Sequence, residues 1–140
     1  MKKVAVVYWS GTGNTEAMAQ AVAAGAQKAG AEVTVLTSAE FGAAQVGSYD
    51  ALAFGCPAMG AEVLEESEFQ PMWDDCKSAL GSKPVVLFGS YGWGDGEWMR
   101  SWAADAEGAG IMLAADFVIC NDAPDDDAKA KCEALGAAIA

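Results

Sequence analysis

The chain of 140 residues contains no histidine, and its four cysteines, Cys56, Cys76, Cys120 and Cys132, form no Cys-x-x-Cys pair. A zinc site or a disulfide scaffold needs such residues at close spacing, so neither is expected. The absence of histidine also removes the most common general base of enzymes. We therefore expect free thiols in a reducing cytoplasm and no metal site.

Basic residues are also scarce, with 8 Lys and Arg against 20 Asp and Glu, for a formal net charge of -12. This balance disfavours nucleic acid and anionic membrane surfaces as partners, and it suits proteins with basic surfaces. No apolar run is long enough for a secretory signal or a membrane span. Because 53% of the residues are hydrophobic, we expect a compact domain that covers residues 1–140 by itself.

Short apolar runs alternate with helical patterns along the chain. Strands are expected at Val4–Trp9, Glu32–Thr37, Ala51–Gly55, Val85–Gly89 and Ile111–Asn121, the last kinked at Asp116. Helices are expected from the periodic run that starts near Met18 and stops at Gly30, and at Phe69–Leu80, Glu97–Gly108 and Asp125–Ala140, with a weak helical stretch within Ala39–Ser48. This alternation predicts an α/β fold with a parallel sheet, helices on both faces, and ligands at the carboxyl ends of the strands.

The loop after the first strand reads SGTGNT, Ser10–Thr15, and Tyr8–Met18 around it contains no Lys or Arg. Its glycines can turn backbone N–H groups inward, and its hydroxyl and amide side chains add neutral donors at a helix N-terminus. A P-loop would need G-x-x-x-x-G-K-[ST], and a dinucleotide fingerprint would need a third glycine, which is Glu16 here. The loop favours a terminal monophosphate; the alternative is an ordinary strand-to-helix turn with capping residues.

Two further loops lie at the same predicted edge. Trp93 stands between Gly92 and Gly94, where an exposed indole suits a flat aromatic ligand, unless the side chain folds back into the core. Met59 could lie on an aromatic face, and Glu62 could accept from a ring N–H, although an ordinary turn would also explain this segment. Other residues indicate packing only: Trp98 and Trp102, four residues apart on one helix, Trp73, and Cys56, which has no basic neighbour to activate it.

Taken together, YWSGTGNTEAMA, GCPAMGAEVLEESEF and LFGSYGWGDGEWMR resemble the phosphate loop and the two isoalloxazine loops of the flavodoxins. The resemblance runs from Lys3 to the last helix. It is closest to the short-chain flavodoxins of anaerobic bacteria, because the long-chain insertion is absent between Ile111 and Asn121. It implies FMN as the cofactor and a doubly wound five-stranded parallel sheet of order 2-1-3-4-5.

The resemblance also assigns residues to the cofactor. Met59 would lie on the inner ring face and Trp93 on the outer face, the carbonyl of Gly60 would turn towards flavin N5 on reduction, and Glu62 would accept from ring N3–H. The implied binding set is Ser10, Gly11, Thr12, Gly13, Asn14 and Thr15 at the phosphate, Pro57, Ala58, Met59, Gly60, Ala61 and Glu62 in the second loop, and Ser90, Tyr91, Gly92, Trp93, Gly94 and Asn121 beyond the fourth and fifth strands. Pro57 departs from the pattern, because some members have a Ser there whose hydroxyl contacts the phosphate.

The implied function is that of a low-potential one-electron carrier that cycles between the flavin semiquinone and hydroquinone. Stacking and nearby carboxylates would disfavour the anionic hydroquinone, although the acids could also serve only as helix caps and solubilising charge. These acids are Glu62, Glu65, Glu66, Glu68, Asp95, Glu97, Asp122, Asp125, Asp126 and Asp127. The expected partners are oxidoreductases with basic docking surfaces, and the expected state is a monomer. The alternatives are an FMN-dependent NAD(P)H:quinone-type reductase and a flavin-storage protein; no basic residue is placed to bind a pyridine nucleotide.

Overall fold

The computed structural model describes residues 2–60 and 62–140 of the chain. Its strands are β1 (Lys3–Tyr8), β2 (Glu32–Thr37), β3 (Ala51–Gly55), β4 (Pro84–Tyr91), β5 (Met112–Leu113) and β6 (Val118–Asn121). Its α-helices are α1 (Asn14–Lys28), α2 (Ala43–Val46), α3 (Phe69–Lys77), α4 (Glu97–Gly108) and α5 (Asp126–Ala138), and a 3-10 turn spans Ser38–Glu40.

The sheet has the strand order β2-β1-β3-β4-β5, with all pairs parallel. Strand β6 also pairs with β4, further along it, where Phe88 lies opposite Val118 and Tyr91 opposite Asn121. Strands β5 and β6 are therefore two halves of one fifth strand, which is interrupted over residues 114–117. The predicted fold class and strand order are confirmed, and the predicted kink at Asp116 falls in this break.

Helices cover both faces of the sheet, so successive residues of β1 belong to different core layers. Ala5 and Val7 lie in the layer under α3 and α4, while Val4 and Val6 lie in the layer under α1 and α5. All four side chains are fully buried. A strand buried on both faces reads in sequence as an unbroken apolar run, and for this reason the run Val4–Trp9 predicted β1 to within one residue at each end.

Tryptophans fill the layer under α3 and α4. Trp73 and Trp102 meet edge to face with ring centroids 5.6 Å apart, and Phe69 contacts Trp102 in the same way at 5.4 Å. Trp98 is 1% exposed, and its indole N–H donates to the carbonyl of Cys56 at 3.1 Å. The prediction that these tryptophans pack in the core is confirmed.

Two glycines let α1 and α5 approach closely on the other face. A Cβ at Gly25 would overlap the carbonyl of Glu133, and a Cβ at Gly136 would overlap the carbonyl of Val22. This contact fixes α1, whose N-terminus reaches the carboxyl edge of the sheet directly after β1. Within the described part of the chain, no helix is both long and apolar enough to cross a membrane.

The helix and strand ends differ from the predicted ends by a few residues. α3 stops at Lys77 with Ser78 as its C-cap, short of the predicted Leu80. Asp125 caps α5 from outside, because its carboxylate accepts from the N–H of Ala128 at 2.8 Å. Trp9 leaves β1, although its N–H still donates to the carbonyl of Gly55 at 3.0 Å.

Candidate functional site

A cavity of about 240 Å³ opens at the carboxyl edge of the sheet. It is bounded by the segments that follow β1, β3, β4 and β6, as the parallel topology requires. The lining residues are Trp9, Gly11, Thr12, Asn14, Pro57, Ala58, Met59, Ser90, Tyr91, Gly92 and Asp122. Nine of these were predicted from sequence as binding residues; Trp9 and Asp122 were not in that set.

The loop after β1 folds around the hydroxyl of Ser10. The oxygen Oγ accepts from the N–H of Gly13 at 3.0 Å and from the N–H of Glu16 at 3.3 Å. Gly13 is the N-cap of α1 and has a φ of 95°, a left-handed conformation that would strain a residue with a Cβ. Because Oγ already accepts two hydrogen bonds, the hydroxyl hydrogen of Ser10 remains to donate to an anion.

Thr15 carries an unpaired hydroxyl inside this loop. The residue is 1% exposed, and its Oγ1 has no hydrogen-bond partner within residues 2–60 and 62–140. A buried polar atom without a partner costs free energy, so its presence calls for an explanation. The first-turn N–H groups of a helix also lack intrahelical partners, and together they form an anion site. Thr15 does not line the cavity in this structure, but it directly follows the lining residue Asn14 in the first turn of α1.

Trp9 forms one wall of the cavity. Its indole N–H donates to Glu68 at 3.0 Å, which holds the ring across the start of the loop. The ring lies close to Gly11, where a built Cβ would be 3.1 Å from the indole edge. A side chain at position 11 would therefore push against this wall.

The loop after β3 closes into a tight turn between Met59 and Val63. The N–H of Met59 donates to the carbonyl of Val63 at 2.9 Å, and the N–H of Val63 donates back at 3.1 Å. Gly60 has a φ of 44° and faces open space. Its backbone conformation, and not crowding, is what disfavours a larger residue. The predicted binding residue Ala61 lies outside the described residues.

Glu62 also has a left-handed backbone, with a φ of 60°. Such a conformation costs about 1–2 kcal/mol for a residue with a Cβ and is often found at functional sites. Its carboxylate fills the space beside Gly94, where a Cβ would overlap it. The oxygen Oε1 is buried and has no partner among the described residues. Glu62 borders a second cavity, next to the site, and not the first one.

The loop after β4 presents Trp93 to solvent. This side chain is 66% exposed, so it does not fold back into the core. Ser90, in contrast, is 5% exposed, and its carbonyl accepts from the N–H of Ala58 at 3.0 Å, which ties the second and third loops together. Trp93 and Gly94 belong to the same edge as the cavity but do not line it.

The predicted binding residue Asn121 ends β6, and the residue after it, Asp122, lines the cavity. The amide of Asn121 donates to the carbonyl of Tyr91 at 3.3 Å, and Asn121 is not a lining residue. Asp122 has a φ of 56°, donates its N–H to the same carbonyl at 2.8 Å, and lines the cavity. Its position directly after a predicted strand was visible in the sequence, but the turn that aims it inward was not.

The acidic residues at this edge have different roles. Glu65 is 6% exposed and caps α3, accepting from the N–H groups of Glu68 and Phe69 at 2.8 Å each. Burial raises the pKa of Glu65, but hydrogen bonds from Ser67, Phe69 and Glu68 outweigh it, and the pKa is lowered overall. Asp95, by contrast, pairs with Arg100 at 3.0 Å on the surface.

Cys56, beside the second loop, is a packed thiol, as predicted. It is fully buried, and burial raises its pKa to about 12. The N–H of Glu65 donates to its sulfur at 3.4 Å. A thiol with so high a pKa is not a nucleophile at neutral pH.

These features fit FMN. Neutral donors and an unpaired buried hydroxyl converge where a phosphate is expected, an apolar-walled cavity lies beside them, and an unpaired carboxylate oxygen lies at the tip of the second loop. A dinucleotide or a triphosphate would have required the glycine pattern or the lysine that this loop lacks.

The comparisons agree with this fit. A sequence model of the family described as Flavodoxin matches residues 6–136. The flavodoxin of Clostridium beijerinckii is 42% identical over 135 residues, covering 96% of this chain and 97% of the relative. The flavodoxin of Megasphaera elsdenii is 44% identical over 137 residues, covering 98% of each.

A solved structure supports the same family. The solution structure of two-electron reduced Megasphaera elsdenii flavodoxin superposes with a TM-score of 0.89 at 44% identity, covering 97% of each chain. The chain belongs to the flavodoxin family, whose members are electron-transfer flavoproteins that bind FMN and carry single electrons as the flavin cycles between semiquinone and hydroquinone.

Proposed function

We propose that this chain, as a single FMN-binding domain spanning residues 1–140, delivers single electrons to cytoplasmic oxidoreductases that have basic docking surfaces, and that it acts as a monomer. Bound FMN supplies the electron chemistry, because a flavin can take up electrons one at a time as well as in pairs. The residues of the three loops bind the cofactor, orient it and set the electrostatic environment around it.

The first loop is proposed to bind the phosphate without a cation. Ser10 holds the loop in shape through the two N–H groups that it accepts, and its own hydrogen is available for the phosphate. The backbone and side chains of Gly11, Thr12, Gly13 and Asn14 supply further donors. The buried hydroxyl of Thr15, which has no partner among the described residues, would donate a hydrogen bond to the phosphate. Pro57 lines the cavity but has no N–H or hydroxyl to add.

The second and third loops are proposed to hold the ring. Met59 and Trp93 would flank its two faces, Glu62 would accept from its N3–H, and the backbone of Gly60 would respond to the protonation of N5. Ala58, Ala61, Ser90, Tyr91, Gly92, Gly94 and Asn121 complete the predicted binding set, and Asp122 joins it from the structure. The exposure of Trp93 supports this role, because a flat ligand would cover an indole that the fold itself leaves in water.

Charge and surface support the proposed partners. The net charge is -12, Asp122 lines the cavity, and further exposed carboxylates follow the strands that end at this edge, including Glu66 and Asp126. Among the described residues, the exposed large apolar side chains are Val63, Trp93 and Met112, of which the first two belong to the second and third loops. Few exposed apolar side chains on a strongly acidic protein suit transient docking of a basic partner better than a broad apolar dimer face. The cysteines are free thiols, which supports a reducing compartment.

The observation that carries the proposal is the convergence of the β1, β3 and β4 loops on one cavity beside the unpaired hydroxyl of Thr15. The test is an anaerobic reductive titration of the FMN-loaded protein, followed by absorbance. A carrier should be reduced in two resolved one-electron steps, and NAD(P)H alone should not bleach it. Direct two-electron bleaching by NAD(P)H would contradict the proposal and favour the reductase. A flavin that is reduced in neither of these two ways would favour a flavin-storage protein.

A further inference from the structure

Trp9 borders two cavities at the carboxyl edge of the sheet. One is the candidate flavin site, and the other is a separate cavity of about 250 Å³ that Tyr8, Glu16 and Glu68 also border. Trp9 is half-buried, and it packs against the core along only part of its surface. Packing therefore leaves the indole room to move, so a more specific contact must decide where this wall of the flavin site stands.

Two hydrogen bonds supply that contact, one at each end of Trp9. The backbone N–H donates to the carbonyl of Gly55, the last residue of β3, at 3.0 Å. The indole N–H donates to Oε1 of Glu68 at 3.0 Å. An indole has a single N–H to donate, so this bond uses its whole hydrogen-bonding capacity. A side chain held through both its backbone and its ring nitrogen keeps little torsional freedom.

Glu68 is itself fixed by the start of α3. Its backbone N–H donates to Oε1 of the buried Glu65 at 2.8 Å, and its carbonyl accepts from the N–H of Met72 at 3.3 Å. Glu68 is the N-cap residue of α3, but its own carboxylate makes no capping hydrogen bond. The carboxylate is thus available to Trp9, and its removal leaves the hydrogen bonds that begin the helix in place.

The other edge of the indole faces the phosphate loop. A Cβ built at Gly11 would lie 3.1 Å from Cη2 and 3.3 Å from Cζ3 of Trp9. Both distances are shorter than the 3.5–4.0 Å or so of ordinary carbon contacts. These two carbons belong to the six-membered ring, whereas Nε1, which binds Glu68, belongs to the five-membered ring. The position of the indole therefore decides how much space the chain has at Gly11.

We propose that Glu68 is a positioning residue for the phosphate loop: it acts through the indole of Trp9 to hold Gly11 and the loop around it in the shape that accepts a phosphate. This inference rests on the proposed binding of the FMN phosphate by that loop. A loop that is already in its bound shape loses less conformational freedom on binding, which raises the affinity. The contact should therefore favour FMN over riboflavin, which has no phosphate.

The first test compares two substitutions of Glu68 by fluorescence-quenching titration with FMN and with riboflavin. Glu68→Ala removes the acceptor and should weaken FMN binding about fivefold, the size of one ordinary hydrogen bond, but riboflavin binding by less than about twofold. Glu68→Gln keeps an acceptor oxygen and removes only the charge, so both ligands should bind within about twofold of the wild type. Equal losses in the two variants, or equal losses for the two ligands, would overturn the proposal.

A double-mutant cycle tests whether the indole carries the effect. Trp9→Phe keeps an aromatic ring without an N–H, and in this background Glu68→Ala should change the FMN dissociation constant by less than about twofold. Glu66→Ala is the matched control, since it removes an exposed carboxylate of the same segment, two residues before Glu68. Its effect should be the same with Trp or Phe at position 9. A loss of FMN affinity by Glu68→Ala that persists in the Trp9→Phe background would overturn the proposal.

Gly11→Ala measures how firmly the ring is held. Its methyl group would press on the indole and should weaken FMN binding, because the ring cannot yield while Glu68 holds it. In the Glu68→Ala background the ring can move away, and the loss caused by Gly11→Ala should be at least threefold smaller. The same loss in both backgrounds would show that Glu68 does not fix the indole and would overturn the proposal.

Hydrogen exchange observes the contact itself in the ¹⁵N-labelled, FMN-loaded protein. The indole N–H of Trp9, identified by its absence in Trp9→Phe, should exchange faster with solvent in Glu68→Ala. The indole N–H of Trp73, which donates to Asp105, should not change. Unchanged exchange at Trp9 would overturn the contact. If the wild type does not prefer FMN to riboflavin, the proposed phosphate site fails and this inference fails with it; if it does and Glu68→Ala leaves that preference intact, only the role of Glu68 fails.

Discussion

The hydroxyl of Thr15 offers the sharpest test of the phosphate site. Its Oγ1 is buried and unpaired within residues 2–60 and 62–140, in the first turn of α1. Thr15→Val replaces the hydroxyl by a methyl of similar size and keeps the branched shape that packs there. The change therefore removes a hydrogen-bonding group with little effect on the volume of the side chain.

The expected effects have opposite signs in the free and the loaded protein. Without FMN, the variant should be as stable as the wild type, or more stable by up to about 1 kcal/mol, because an unpaired buried hydroxyl is removed. With FMN, it should lose a hydrogen bond to a charged phosphate, worth roughly 1.5–3 kcal/mol. At about 1.4 kcal/mol per factor of ten, the FMN dissociation constant should rise roughly 10- to 150-fold.

Riboflavin separates a phosphate contact from a general defect, because it has the ring and the ribityl chain but no phosphate. Fluorescence-quenching titrations with both ligands should show a large loss for FMN and less than about a twofold loss for riboflavin. Ser38→Ala is the control: Ser38 is 4% exposed and its buried hydroxyl has no partner among the described residues, but it lies outside the three loops. Equal weakening of both ligands, or unchanged FMN binding, would refute the assignment of Thr15 to the phosphate.

Three other predictions concern the flavin ring, the helix caps and the charge at the cavity. Gly60→Ala should lower the yield of semiquinone while oxidised FMN still binds, because a Cβ penalises the φ of 44° by about 1–2 kcal/mol; photoreduction followed by absorbance measures this. Glu65→Gln should lower the midpoint of chemical unfolding at pH 7, because folding lowers the pKa of Glu65 and its ionised carboxylate therefore stabilises the folded state. This stabilisation is fully present above the ordinary glutamate pKa of about 4.3, and it is lost as the pH falls through the lower pKa of the folded state. Asp122→Asn should raise the semiquinone/hydroquinone potential by about 20 mV, the effect of one charge at about 10 Å in water-like surroundings, and electron transfer to a basic acceptor should slow as salt is added.

Each of these has a contrasting control. An unchanged semiquinone yield in Gly60→Ala would place the N5 response at another residue. Glu65→Gln should also flatten the loss of stability in acid, and a variant as acid-sensitive as the wild type would show that the cap does not depend on charge. Glu107→Gln removes an exposed charge at the far end of α4, and it should leave the potential unmoved; if it moves the potential as much as Asp122→Asn does, the effect is one of net charge alone.

Much of the architecture was predictable because it depends on local patterns. The bounds of β2, β3 and α4 agree with the predicted ones to the residue, since buried runs and helical periods end at Gly or polar residues. The break between β5 and β6 could be anticipated from Asp116 in an apolar run. The phosphate loop could be predicted as well, because its glycines and hydroxyls are consecutive in the chain.

What could not be predicted depends on burial and pairing between distant segments. Sequence analysis left open whether Glu65 lies near the flavin or caps a helix, and the folded chain turns it inward to cap α3. Asp95 is partly neutralised by Arg100, five residues further on. Asp122 enters the cavity because the turn after β6 adopts a left-handed conformation. None of these roles has a signature in composition or periodicity, since each arises from where the folded backbone places a side chain.

A loop that binds an anion without a cation suits an electron carrier of low potential. No Lys or Arg lies within Tyr8–Met18, so the affinity for the phosphate must come from oriented N–H groups, hydroxyls and the N-terminus of α1. These dipoles act strongly at hydrogen-bond distance, but their field falls off faster than that of a full charge. A lysine in the loop would bind the phosphate and would also favour an electron on the nearby ring by about 20 mV if it were about 10 Å away. Neutral donors bind the cofactor and leave the surrounding negative charge uncompensated, so tight binding and a low potential do not oppose each other.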